Sequence, residues 1–328
     1  MLVVGGSRFD PVTWTTTPLA TAGLYDPATG AWTSTGSLPA ARSDVALVML
    51  GSGQVQLTGG FDVAYAPVRT TYLYNPATGT WTAGRPMLRA RAGHTATVLS
   101  NGQVLVAGGT VTGGAATDTA ETYNPLTTSW SLTAVMPLAR TRQSAVSLPA
   151  PSAGRVLLVG GNDGSSGLRP TALYNQATRT WTAGPSLLRL RSSEDVGDPT
   201  VTSLADGRVL VAGGYDAAVL SSAEIYTPSS NAFTLTGSPR FATEGGHTAT
   251  LLADGRVLLA GGTDDWGGLA TTQLYSPATG TWSRGNDLRA ERAGQAAVRL
   301  PSGAVLLVGG YRWLPTYVSV ATAAKYQP

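Results

Sequence analysis

Residues 74–81 read YNPATGTW, and the chain spells that octapeptide repeatedly. YDPATGAW starts at Tyr25 and YSPATGTW at Tyr275; looser copies are YNPLTTSW at Tyr123, YNQATRTW at Tyr174 and YTPSSNAF at Tyr226. A last fragment, YQP, begins at Tyr326. Self-similarity of this kind constrains the fold more than composition does. Each copy must be one supersecondary unit that buries its apolar face against its neighbours.

A second mark is a Gly pair closing a short apolar run, at Gly6, Gly60, Gly109, Gly161, Gly214, Gly262 and Gly310, with successive pairs 48 to 54 residues apart. A third is a segment such as RAGHTATVL, residues 91–99, ahead of each run. One unit then reads as four strands. Residues 91–99 alternate small and apolar side chains, as a half-buried strand does. Residues 103–107 run apolar after Gln103, which suits a strand buried on both faces. ATDTAETYNP alternates into the Tyr, and SWSLTAVMPL follows a turn marked by Pro and Gly in the better copies. The octapeptide is therefore expected to be the connection between third and fourth strands, with its Tyr and Trp packed between neighbouring sheets.

Four antiparallel strands repeated radially predict an all-β fold, a β-propeller. The spacing, the Gly-Gly pair and the Tyr and Trp downstream resemble the kelch repeat over essentially the whole chain, in the style of the propeller of galactose oxidase. A single domain over residues 1–328 follows, with blades at about 1–39, 40–88, 89–138, 139–188, 189–239, 240–288 and 289–328. The chain begins at a second strand and stops at a third. Seven blades with two strands missing is the expectation; six blades with a leftover tail is the alternative.

Composition removes several chemistries. The sequence has no Cys, which excludes disulfides, thiolate metal sites and the Cys-linked Tyr that the galactose oxidase resemblance implies for a copper cofactor. Charged residues make up 12% and the net charge is +3, with no basic run, so nucleic acid is not an expected partner. No apolar run is long enough for a membrane span. The opening MLVVGG lacks the features of a signal peptide. An extracellular or cell-surface bacterial setting is nevertheless the expectation that the resemblance carries.

The working surface of a propeller is the mouth of its channel, where first strands begin and second strands end. An Arg is read at the first position of most blades: Arg42, Arg91, Arg142, Arg191 and Arg292. They are either bound structurally within the rim or a ring of forked donors for anionic groups. Glu244 aligns with Arg91 in the sixth blade. Tyr215, Asp216, Trp266, Tyr311 and Trp313 follow Gly pairs and are expected at the mouth as ligand contacts. The one departure from the first-strand pattern, residues 191–204, adds Glu194, Asp195 and Asp198, which with Glu244, Asp264 and Asp265 make an acidic sector. It is read as a candidate Ca²⁺ site, against a solvated loop. No other cofactor is expected. The two His, His94 and His247, hold the same repeat position and read as structural.

Three functions remain open from the sequence. The first is a non-catalytic propeller binding a glycan or other polar molecule, or a protein, at the channel mouth. The second is a lyase, isomerase or hydrolase using the acidic and Arg cluster there. The third is an assembly module that self-associates through its incomplete terminal blades. Fold alone does not choose among them.

Overall fold

Continuous apolar runs ending in Gly-Gly form the middle of every sheet. Val104–Ala107, Val209–Ala212 and Val257–Ala260 are buried at every residue, as strands covered on both faces must be. The Gly pair is required by space as well as by dihedral angle. Gly59 and Gly60 have φ of 57° and 94°, and a Cβ on them would meet the carbonyl oxygens of Arg91 and Ser43 at 2.3 and 2.5 Å.

The computed structural model describes residues 1–10, 12–150, 152–192, 198–313 and 317–328. Among them there is no helix, and the strands form seven small antiparallel sheets in a ring, with three two-stranded hairpins beside them. Five sheets have four strands in sequence order, blades two to six. Blade three is representative: Thr95–Val98, Val104–Ala107, Ala120–Asn124 and Ser129–Leu132. Blade one has three strands, Leu2–Val4, Ala22–Tyr25 and Trp32–Ser34, and lacks the innermost. Blade seven also has three, Ala296–Arg299, Val305–Val308 and Ala323–Tyr326, and lacks the outermost. The expectation of seven blades with two strands missing holds.

The octapeptide is the turn between third and fourth strands. In blade two the Asn75 side chain accepts the Ala77 N–H at 2.9 Å, and Gly79 N–H donates to the Asn75 carbonyl at 2.9 Å with φ of 67°. Thr128, Arg179 and Asn231 take the Gly position in the looser copies, with φ from 49° to 58°. The Tyr pairs across the strands with the Trp or Phe in six blades, ring centroids 5.0 to 5.2 Å apart. The core lies between blades. Leu105 and Ala107 of blade three pack with Val156, Leu158 and Tyr174 of blade four. Trp indoles reach back to the preceding blade: Trp81 to the Gly36 carbonyl at 2.9 Å, Trp130 to Arg85 at 2.8 Å, Trp282 to Gly237 at 2.7 Å. Trp32, in the first blade, is 43% exposed.

Candidate functional site at the axial mouth

Among the described residues, the first strands of blades two, three, four, six and seven are each entered through a residue with left-handed backbone, and neighbouring ones bond blade to blade around the channel. Gly93 N–H donates to the Asp44 carbonyl at 3.1 Å, Arg142 to Gly93 at 2.9 Å, and Gly294 to Gly246 at 2.7 Å. Their φ values run from 49° for Asp44 to 65° for Gly246 and Gly294. Three are Gly; Asp44 and Arg142 are the two that carry a side chain, and both are exposed. The backbone thus forms a belt at the mouth, and its chemistry is decided by which blades depart from Gly.

The belt fixes the register of the Arg residues, and the sequence alignment needs correcting in two places. Arg140, not Arg142, is the counterpart of Arg91. Its N–H bonds to Thr117 and its carbonyl takes the Gly109 N–H at 2.8 Å, as Arg91 bonds to Val68 and Gly60. Arg142 instead occupies the Gly93 position. In blade six the same bonds are made by Thr243, to Leu220 and Gly214, so Glu244 is one step past the Arg position. Gly245 is an extra residue there.

Arg42, Arg91, Arg191 and Arg292 are buried, and their guanidinium groups turn into the blades. Arg91 bonds the Gly108 carbonyl at 2.6 Å and Glu121 at 2.9 Å; Arg191 bonds the Gly213 carbonyl at 2.8 Å and Glu224 at 2.9 Å. Arg42 holds Ala41 and Thr70, and Arg292 holds Gly309 and Thr322. The expected ring of Arg forks at the mouth is therefore not formed by these four. Of the five, only Arg142 is exposed.

The acidic sector divides in the same way. Glu194 and Asp195, and the side chain of Trp313, lie outside the described residues. Asp264 caps its own turn, accepting the Trp266 and Gly267 N–H groups at 2.9 and 3.1 Å. That turn joins the two-residue strands Thr263–Asp264 and Gly267–Gly268, with Trp266 89% exposed at its tip. Asp265 is exposed. Glu244 is half-buried; burial raises its pKa, the Thr263 hydroxyl opposes this, and the charges of Asp265 and Asp264 add to it. Among the described residues no group of three His, Cys, Asp or Glu could hold a metal ion, so the Ca²⁺ site expected from the sequence is not assembled there. Tyr311 lies over Gly294, its hydroxyl pKa raised by burial and by Glu244. Tyr215 and Asp216 are half-buried on blade five, where Asp216 N–H closes a turn on Ala218.

Asp198 is the residue that the sequence placed in the wrong company. It does not join Glu244, Asp264 and Asp265 in a cation cage. It lines a cavity of about 400 Å³ between the first strands of blades four to seven, with Ser144, Thr200, His247, Thr248 and Ala297. Burial raises the Asp198 pKa, and the Arg142 charge opposes the rise. Two departures from the repeat thus meet at one place: the insertion that supplies Asp198 and the non-Gly belt residue Arg142. The signal in the sequence was Arg142 standing where blades three, six and seven have Gly, and it was hidden by the second Arg beside it.

His247 borders this cavity with its ring buried. Its Nε2 lies 3.1 Å from the Ala212 carbonyl, and burial lowers its pKa to about 4. His94, the equivalent of His247, places Nε2 2.9 Å from Thr58 Oγ1, and burial lowers its pKa to about 3. Both rings are neutral fillers of the inner wall at neutral pH.

No family model matches the chain, and no curated protein matches it. A search of solved structures finds a fungal alcohol oxidase described as catalytically diverse among the AA5 family and in complex with copper. The TM-score is 0.74 at 17% identity, over 100% of this chain and 71% of that one. That likeness concerns the fold. The reading of this chain as a non-catalytic binding propeller is corrected to this extent: the structural neighbour is an enzyme, and at 17% identity the likeness itself shows the ring alone. The copper group is a separate matter. With no Cys in the chain and both His rings bonded inside the wall, the residues present do not fit the Cys-linked copper cofactor that the resemblance implies. The chain is a kelch-like propeller of seven blades.

Proposed function

We propose that the chain is an enzyme acting on a small hydroxyl-bearing molecule at the axial cavity, with Asp198 as the proton acceptor. The observation that carries this reading is the pairing of a partly buried carboxylate of raised pKa with the exposed Arg142 at the belt. A carboxylate whose proton affinity is raised toward neutral accepts a hydroxyl proton better than an ordinary one does. A guanidinium beside it offers donors to the oxygen that becomes negative. Ser144 and Thr200 supply neutral hydroxyls on the same wall. The cavity volume lies in the range of small-molecule sites. The alcohol oxidase likeness supports the substrate class, a hydroxyl compound, and no copper step enters the proposal.

The test is a turnover assay on a panel of small alcohols and sugars, with Asp198→Asn and Arg142→Ala. Loss of kcat/KM by about 100-fold or more in Asp198→Asn is expected, in the range of general-base catalysis, with thermal stability kept. Substrate binding without turnover in the unaltered protein, or equal rates in all three proteins, overturns the reading.

A further inference from the structure

Eight described residues other than Gly hold left-handed backbone. Thr128, Arg179 and Asn231 fill the octapeptide turn, and Arg142 belongs to the axial site. Of the remaining four, Trp14, Asp44 and Tyr65 lie on blades one and two, with φ of 54°, 49° and 54°. A bulky aromatic in this region is an outlier that its surroundings must hold in place, and such outliers gather at functional sites.

Blade three shows that the loops themselves do not need these side chains. Tyr65 N–H closes its loop on the Asp62 carbonyl at 3.0 Å, and Asp62 N–H bonds Ala66 at 3.1 Å. In blade three Gly114 and Val111 make the same two bonds, to Val111 at 3.0 Å and to Ala115 at 2.9 Å, with φ of 85° at Gly114. Asp44 likewise takes the belt position that is Gly93 in blade three. Gly is the unstrained residue at both places. What stands there instead is exposed: Asp44, Tyr65 by 48%, and Trp14 by 71% at the turn of the hairpin Ser7–Asp10 and Thr15–Pro18.

The rings meet across the two blades. The Tyr65 hydroxyl donates to the Thr16 carbonyl of the hairpin, and Thr16 stands directly opposite Phe9. Phe9 and Trp14 meet edge to face, centroids 5.8 Å apart and planes at 84°, so the two rings make a corner. Phe61 and Tyr65 add a tilted pair at 6.3 Å. Phe61 exchanges backbone bonds with Ser43 at 2.9 and 3.1 Å, which brings the adjoining Asp44 to the same edge. Among the described residues the Asp44 carboxylate makes no hydrogen bond or ion pair. Asp62, by contrast, engages Oδ1 with the N–H groups of Ala64 and Ala66 at 2.9 and 3.0 Å. Arg8, the cation of the hairpin, alternates to the strand face opposite Phe9.

We propose that this corner binds an organic cation of the quaternary ammonium class. Aromatic faces carry partial negative charge and attract a cation without hydrogen-bonding it. An ammonium with N–H groups is strongly hydrated and loses more on leaving water than ring faces return, whereas a fully alkylated one has no donors to satisfy. The alkylated head sits against Trp14 and Tyr65, and the Asp44 charge draws it to the rim. The site shares no residue with the axial cavity, so its fate is separate from that of the catalytic reading.

The test is a ligand-observed NMR titration of the whole chain with choline and with its neutral isostere, in which carbon replaces the ammonium nitrogen. Choline should bind saturably and about ten-fold more tightly than the isostere, as attraction to more than one ring implies. Trp14→Gly and Tyr65→Gly remove ring and strain together, so each should weaken choline binding about three-fold or more while the chain melts no lower. Asp44→Asn should weaken it too, and Trp266→Gly on blade six should not. Equal affinity for choline and the isostere, undiminished binding in Trp14→Gly, equal loss in Trp266→Gly, or no saturable binding overturns the proposal. Sedimentation with phosphatidylcholine vesicles identifies the source of the cation. Co-sedimentation that Trp14→Gly abolishes assigns a lipid headgroup, and choline binding without co-sedimentation assigns a soluble cation.

Discussion

Arg91 and Glu121 face each other at 2.9 Å inside blade three, with both side chains wholly buried. Arg191 and Glu224 repeat the arrangement in blade five at the same distance. Each Glu also takes N–H groups from the link that leads into its own first strand, so the pair ties neighbouring blades through one carboxylate. Burial lowers the Arg91 pKa, and Glu121 opposes that. A pair held this way is costly to break on one side and cheap to replace on both.

Glu121→Ala is therefore expected to cost about 3–5 kcal/mol of unfolding free energy, because it leaves a buried guanidinium and two N–H groups unmatched. Arg91→Met combined with Glu121→Leu should cost clearly less than that single change. Urea unfolding monitored by Trp fluorescence measures both. A double variant as unstable as Glu121→Ala would show that the pair itself, rather than the unpaired charge, carries the energy.

The Trp residues hold one repeat position but not one burial. Trp130 is 8% exposed and bonds Arg85, whereas Trp32 is 43% exposed. Trp130→Ala should cost about 3–5 kcal/mol, the range for removing a large buried aromatic. Trp32→Ala should cost less than half of that. Thermal melting of the two variants side by side decides it, and equal losses would contradict the packing described for blade one.

The two His give a pH signature. In the folded chain they titrate at about 3 (His94) and about 4 (His247), and in the unfolded chain near 6.5. The folded values are depressed, so stability is full above about pH 6.5 and falls as pH drops toward the folded values, because only the unfolded chain gains protons there. Each His contributes up to about 1.4 kcal/mol per pH unit in that window. Denaturant unfolding at pH 7 and pH 5 should differ by roughly 2–4 kcal/mol, and the His94→Gln, His247→Gln variant should lose most of that difference. A wild-type chain equally stable at both pH values would mean that the rings are solvated.

Most of the architecture was legible because it is local and repeated. Gly59–Gly60 announces a strand end by dihedral and close approach, and Asn75 with Gly79 announces a turn; neither needs knowledge of the far side of the ring. The missing strands could be counted from the same marks. The site was less legible for the same reason. Arg42, Arg91, Arg191 and Arg292 recur at one point of the repeat, and what recurs is what the repeat needs for itself. In RTRQ, residues 140–143, two Arg compete for one position, and only the belt bonds of Arg142 separate them. In TEGGH, residues 243–247, the extra Gly245 shifts Glu244 by one, which spacing cannot reveal. Asp198 follows an insertion with no template in the other blades, so its neighbours were invisible until the ring closed.

Arg142 is where stability and chemistry pull apart. It holds φ of 56° at a position that Gly fills in three other blades, a conformation costing a non-Gly residue roughly 1 kcal/mol. Its side chain leaves the belt exposed, and its charge opposes the burial that raises the Asp198 pKa. Arg142→Gly should leave thermal stability unchanged or raise it by up to about 1 kcal/mol, since relief of strain is set against the greater freedom of Gly in the unfolded chain. The same variant should lose the proposed activity and move the rise of its pH–rate profile to higher pH, because Asp198 then keeps its proton longer. Arg142→Lys keeps the charge and the strain, and should retain the pH profile while losing rate. A gain in stability with unchanged activity in Arg142→Gly would leave the belt with a structural role only, and Asp198 would need another partner.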